Sequence, residues 1–205
     1  MSDDLFPVDI VILPPESIQT IALSLNSDLI KLNGISPITL GEHMLPHISI
    51  AMCSITSGEL KILGKELDRL CTVHLPLRLS ITGLSTMQTN SGDYISGLDI
   101  DLTDALYRFH QEIINVVHPW CNRKVLSEMI LLDPGEKLAP FTTVYIENFR
   151  ERSALTDYHP HITLGYGYHI PKIDSLEFPN NFSGNLIAVC RLGNHCTCRE
   201  ILWKN

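Results

Sequence analysis

Pro46-His47-Ile48-Ser49-Ile50-Ala51 and Pro160-His161-Ile162-Thr163-Leu164-Gly165 are nearly one hexapeptide, written twice in a chain of 205 residues. A histidine followed two places later by a hydroxyl residue proves little alone. The chain holds nine histidines, and such a triplet is expected by chance about once. A third copy does occur, at His195-Cys196-Thr197. The longer agreement (proline, histidine, isoleucine, hydroxyl, aliphatic, small) needs a cause. Both copies read as strands, whose side chains alternate between two faces. His47 and Ser49 then share one face, with Ile48 and Ile50 on the other. His161 and Thr163 share a face, with Ile162 and Leu164 opposite. Each strand buries two aliphatics and offers one imidazole and one hydroxyl, roughly 6.5 Å apart.

The elements around the two copies echo each other. Residues 8–13 (VDIVIL) read as a strand stopped by Pro14-Pro15. Residues 16–31 read as a helix, with Ile18, Ile21, Ala22, Leu25 and Leu29 recurring at three and four. Residues 47–53 form the first motif strand, and Thr56-Ser57-Gly58-Glu59 opens a helix to about Cys71, its charged stretch 59–69 a solvated face. Residues 75–84 and 94–102 read as strands, joined through a turn at Asn90-Ser91-Gly92. Thr103 caps a helix carrying Leu106, Phe109, Ile113, Ile114 and Val117, ending near His118-Pro119. Asp133-Pro134-Gly135 reads as a turn and residues 142–146 as a strand. The second motif strand, residues 161–166, is followed by a loop with Pro171 and Pro179, then by strands at 186–192 and 197–203. Strand, helix and motif thus occur at residues 8–52 and again at 97–165. This predicts two similar lobes facing each other within one domain, 1–205.

Composition bounds the function. Hydrophobic residues make up 44% of the chain and charged residues 19%, enough apolar material for a core. The net charge of −8 argues against tracking along DNA or RNA, where phosphate neutralisation supplies the affinity. It leaves room for a small nucleotide or an RNA end. The start MSDDLFPVD lacks a basic export signal, and no apolar run reaches the roughly 18 residues that span a bilayer. Six scattered cysteines then read as reduced thiols in a cytoplasmic protein. No phosphate-binding Gly-rich loop ending in Lys-Ser/Thr and no Gly-x-Gly-x-x-Gly occurs, which removes the usual signals for a nucleoside triphosphatase or dinucleotide enzyme. His195, Cys196 and Cys198 lie close but lack the second distant pair of a zinc site. They read as part of the last strand, and no metal is expected.

Two imidazoles and two hydroxyls lining one cleft suit phosphodiester chemistry. Imidazole titrates near 6.5, so one ring can be neutral while the other is protonated. The neutral ring takes a proton from the attacking oxygen, and the protonated ring gives one to the leaving oxygen, each transfer typically worth about 10²–10⁴-fold. Ser49 and Thr163 can donate to the non-bridging oxygens as charge builds there.

The paired His-x-Ser/Thr motifs, with the order of elements around them, resemble the 2H phosphoesterase superfamily, which includes bacterial RNA 2′,3′-cyclic phosphodiesterases, also called 2′-5′ RNA ligases. The resemblance covers most of the chain. It implies a bilobal, pseudo-symmetric α+β fold, with an antiparallel sheet and flanking helices in each lobe and a cleft between them. It implies catalysis by His47 and His161, phosphate binding by Ser49 and Thr163, and no cofactor or metal. Ring opening to a 2′-phosphate, as in the related enzymes, makes His161 the base and His47 the acid. The expected substrate is a nucleotide or an RNA end, acted on by a monomer away from membranes. Where RNA-acting members often carry arginine three places after the second motif's threonine, this chain has Tyr166. Tyr166 and Tyr168 are candidates for stacking on a base, and Arg191 or Arg199 for supplying positive charge. Two other readings share the cleft: a nucleotide-binding module without turnover, and a hydrolase of cyclic oligonucleotide signals.

Overall fold

The computed structural model describes residues 4–34, 36–89, 92–169 and 177–205. Eight strands form one antiparallel sheet: β1 (Phe6–Leu13), β2 (Ile48–Ile55), β3 (Leu77–Gln88), β4 (Tyr94–Ile100), β5 (His161–Tyr166), β6 (Asn180–Gly184), β7 (Leu186–Leu192) and β8 (Cys198–Lys204). Their order is β6-β3-β4-β5-β2-β1-β7-β8. The expected sheet of each lobe is therefore a four-stranded half, and the halves meet where β5 runs beside β2. That seam is narrow: the register pairs Ile48 with Ile162 and nothing else. The central isoleucine of one motif thus lies against that of the other.

Three long helices cover one face: α1 (Glu16–Asn33), α2 (Ser57–His74) and α3 (Asp104–Val117). Local chemistry starts each of them. The Pro15 carbonyl accepts from the Ile18 and Gln19 amides, and a proline at a helix start has no N–H to lose. Thr56 and Glu59 cap each other's backbone N–H at the head of α2. The Thr103 hydroxyl accepts from Leu106 N–H at the head of α3. Leu25 and Leu29 of α1, Leu63, Leu67 and Leu70 of α2, and Phe109 and Ile113 of α3 bury against Ile10, Ile12, Ile48, Ile50, Leu98, Ile162 and Leu164 of the sheet. Among the described helices, none is long and apolar enough to cross a membrane.

The helices are exchanged between halves. α1 follows β1 yet packs on β5; α3 follows β4 yet packs on β2. The repeated unit, β1-α1-β2 and β4-α3-β5, is thus present twice and interlocked.

Four expectations need correction. Residues 142–146 are not a strand but part of α4 (Phe141–Glu147). A strand would bury 142, 144 and 146 alike; instead Thr142 and Ile146 are buried and Val144 is 48% exposed, a helical spacing of four. Residues 194–196 form a single 3₁₀ turn, with His195 and Cys196 both at positive φ, and the last strand begins at Cys198. Cys196 consequently joins the helix-side core and Cys198 the opposite face, so the two do not share a strand face. Strand β6, edging the sheet, has no expected counterpart. The Asp133-Pro134-Gly135 turn is present, with Gly135 at φ +82° and Glu136 N–H on the Asp133 carbonyl. Asn90, Ser91 and Pro171 lie outside the described residues.

Candidate active site

The seam register brings the two motifs together. With Ile48 opposite Ile162 in an antiparallel pair, His47 and Ser49 flank one side of the seam and His161 and Thr163 the other. All four side chains then project from the face away from the three long helices. His47 and His161 each sit one residue away from the one paired position of the seam.

Each ring is held in the same way. His47 Nδ1 lies 2.7 Å from the Leu45 carbonyl, and His161 Nδ1 lies 2.8 Å from the His159 carbonyl. A carbonyl only accepts, so each Nδ1 carries the hydrogen, and each Nε2 of a neutral ring keeps its lone pair. The proline between carbonyl and histidine, Pro46 or Pro160, restricts the residue before it to extended backbone. This accounts for proline in both hexapeptides. Burial pulls His47 down to about 4; the Leu45 carbonyl opposes this, and positive charge on His161 adds to it.

Both motif strands also carry the same irregularity. β1 pairs Ile10 with Ala51 but Val11 with Ser49, so Ile50 is bulged. β4 pairs Ser96 with Gly165 but Gly97 with Thr163, so Leu164 is bulged. A bulge resets the alternation of side chains. Without it Tyr166 would lie on the opposite face from Thr163; with it Tyr166 joins the site face. The free carbonyl at each bulge has a buried side-chain partner. His110 of α3 donates through Nδ1 to the Ile50 carbonyl and accepts the Leu155 N–H at Nε2. Asn26 of α1 donates to the Leu164 and Ile38 carbonyls and accepts Leu40 N–H. Tyr158, stacked on His110, donates to the Ser49 carbonyl. Gly165 closes the second motif because its φ of +142° and the approach of Asn26 and Ser36 leave no room for a side chain.

Asp9, Asn26 and His110 were not anticipated from the sequence. Their signal was present: each is a polar residue in an apolar run, Asp9 within VDIVIL and the other two in the stripes of α1 and α3. Asp9 on β1 is fully buried. Its Oδ2 lies 2.6 Å from Ser49 Oγ and 3.7 Å from His47 Nε2. Thr163 has no such partner; its hydroxyl makes no hydrogen bond among the described residues.

The other candidates fall around this quartet. Tyr166 is half-buried, its hydroxyl 3.0 Å from His195 Nδ1 and its ring edge-on to that imidazole. The third triplet thus contributes a neighbour of the site face and not a further motif strand. Tyr168 is exposed and edge-packed on Tyr94. Arg199 is not free for phosphate, and Arg191 lies on the other face of the sheet. Arg199 is tied to Asp133 at 2.8 Å and Glu136 at 3.2 Å. Arg191 lies over the Phe6 ring, at the position paired with Val8 on the helix-side face. A hollow of about 510 Å³, lined by His43, Lys137, His195 and Arg199 among others, does not include the quartet. Among the described residues, Asp9, His47 and Cys198 bring three donor atoms within 4.8 Å.

No family model and no curated protein sequence matches the chain. Solved structures do. TT0787 of Thermus thermophilus superposes with a TM-score of 0.60 at 14% identity, over 97% of this chain and 96% of that one. Escherichia coli LigT complexed with 3′-AMP gives 0.53 at 12% identity, over 98% of both chains. LigT complexed with NADP+ gives 0.52 at 12%, again over 98% of both. Identities this low carry the fold and nothing finer: from end to end, the chain has the LigT fold.

Proposed function

We propose that this chain is a 2H phosphoesterase: a metal-independent phosphodiesterase that opens a 2′,3′-cyclic phosphate, or cleaves a 2′-5′ phosphodiester, on an RNA end or a small nucleotide. The observation that carries the reading is the matched pair of imidazoles. Both Nδ1 atoms are committed to a carbonyl two residues back, both Nε2 atoms are left for chemistry, and the two motifs meet at a single paired residue. That LigT has been solved with nucleotides supports a nucleotide-sized ligand.

His47, held neutral by burial, is the base. It takes a proton from water as the water oxygen bonds to phosphorus. The bond from phosphorus to the ribose oxygen breaks, and His161, entering protonated, gives its proton to that oxygen. Exchange with solvent resets both rings. Thr163 and Ser49 donate to the non-bridging oxygens, whose charge grows in the transition state. Family resemblance alone implies the reverse roles; the burial of His47 favours this direction. Tyr168, exposed beside Tyr94, is the better placed of the two tyrosines to stack on a base.

Product release from a 2′,3′-cyclic nucleotide in EDTA tests this. Wild type turns over; His47→Ala and His161→Ala each lose about 10²–10⁴-fold. Tight nucleotide binding without wild-type turnover identifies a binding module instead, and turnover abolished by EDTA removes the metal-free mechanism. A phosphodiester with a nitrophenolate leaving group separates the roles. That leaving group needs no proton, so His161→Ala recovers activity on it and His47→Ala does not.

A further inference from the structure

One group in the site has no counterpart in the other half. Aligning the two bulges sets Asp9, two residues before Val11, against Ile95, two residues before Gly97. Asp9 is fully buried, and among the described residues no lysine or arginine pairs with it. Its Oδ1 has no hydrogen-bond partner. The titratable groups around it are His47 from β2, Cys190 from the paired position on β7, and Cys198 from β8. Its charge also reaches Cys53, Cys196, Tyr145 and Tyr158, each held neutral by burial.

This environment bears on Ser49. A hydroxyl has one hydrogen. If Asp9 is a carboxylate, that hydrogen goes to Oδ2 and Ser49 turns only lone pairs toward an incoming phosphate, which repel it. A buried carboxylate with one oxygen unpaired is also costly, by several kcal/mol. If Asp9 is a carboxylic acid, its O–H donates to Ser49 Oγ and the serine hydrogen is released. A separation of 2.6 Å suits donation either way. His47 Nε2, at 3.7 Å, is too far for the hydrogen bond that a settled ion pair would make.

We propose that Asp9 is a positioning residue that acts as a neutral carboxylic acid, donating to Ser49 so that the Ser49 hydrogen points at a non-bridging phosphate oxygen. Burial drives the Asp9 carboxyl well above its ordinary range, with the Ser49 contact opposing, in keeping with that state. Asp9 keeps its proton throughout the reaction. Thr163, whose hydroxyl is already unengaged, needs no such partner. The inference rests on the phosphodiesterase reading for its role and on geometry for its state.

The test uses the full chain. Infrared difference spectra of wild type against Asp9→Asn at neutral pH should show the carbonyl stretch of a protonated carboxyl, shifted in Ser49→Ala, which removes its acceptor. A carboxylate band in its place overturns the proposal, whether or not the protein turns over. With a 2′,3′-cyclic nucleotide, Asp9→Asn should keep activity within about 10-fold, because its amide N–H donates to Ser49 as the acid does. Asp9→Ala should lose about 10²-fold, in kcat rather than KM. In the Ser49→Ala background neither Asp9 change should lower activity further. Asp9→Asn falling as far as Asp9→Ala, or losses that multiply with Ser49→Ala, overturns it. A wild type with no turnover sinks the phosphodiesterase reading, and the infrared result then decides the Asp9 state alone.

Discussion

His47 and His161 are held by the same contact, yet His47 has a buried acid, Asp9, beside its Nε2. Asp9 carries a stability consequence whose sign can be worked out. Its carboxyl is raised on folding, so the folded chain keeps a proton that the unfolded chain releases above about 3.9. Stability contributed by Asp9 is therefore greatest in acid and falls as pH rises toward the folded value. Asp9→Asn removes that loss. Its Tm should exceed wild type at pH 7, and the gap should narrow toward pH 4. A Tm below wild type at neutral pH would mean that the carboxylate stabilises the fold. Gly97 bears on the other ring: a Cβ there would lie 3.1 Å from the Ile162 carbonyl and 3.7 Å from His161 Cδ2. Gly97→Ala should therefore lower turnover through a displaced His161 while leaving nucleotide binding largely intact, as kcat and KM measured separately would show.

Among the elements, the two bulged strands carry the proposed site, and each is pinned by a helix from the other half. His110→Ala strips a partner from both the Ile50 carbonyl and the Leu155 N–H, and each such loss costs about 1–3 kcal/mol. Burial also pulls His110 down to about 4. The folded chain thus resists a proton that the unfolded chain takes near 6.5, and the stability present above 6.5 is lost as pH falls toward 4. Between roughly pH 7.5 and pH 5 this amounts to about 2 kcal/mol. Denaturant unfolding should show a contribution of this size in wild type that is missing in His110→Gln, over and above any slope from His47. The motif strands, the capped starts of α2 and α3 and the stripe of α1 were legible in the sequence because each rests on local chemistry. The bulges were not: Ile50 and Leu164 read as ordinary alternating aliphatics, and only the small residues that follow them, Ala51 and Gly165, hint at crowding. Residues 142–146 misled because β-branched side chains favour strands in isolation, while burial of Thr142 and Ile146 decided for helix. Asp9, Asn26 and His110 were visible as interruptions in apolar runs, but what they touch lies up to 138 residues away in the chain.

For the whole molecule, the exchange of α1 and α3 makes the halves dependent on each other. Neither motif strand keeps its covering helix if the halves separate. The chain should unfold in one cooperative transition, with fluorescence and circular dichroism coinciding; two resolved transitions would show that the halves stand alone. The net charge of −8 and the pairing of Arg199 with Asp133 and Glu136 argue against tracking a polyanion. What the architecture delivers is two imidazoles at one seam, and the pH dependence of kcat/KM on a 2′,3′-cyclic nucleotide in EDTA tests that most directly. Two rings needed in opposite protonation states predict a bell, with one limb altered in His47→Ala and the other in His161→Ala. A flat profile across roughly pH 5–9, or a bell that survives both substitutions unchanged, would contradict it.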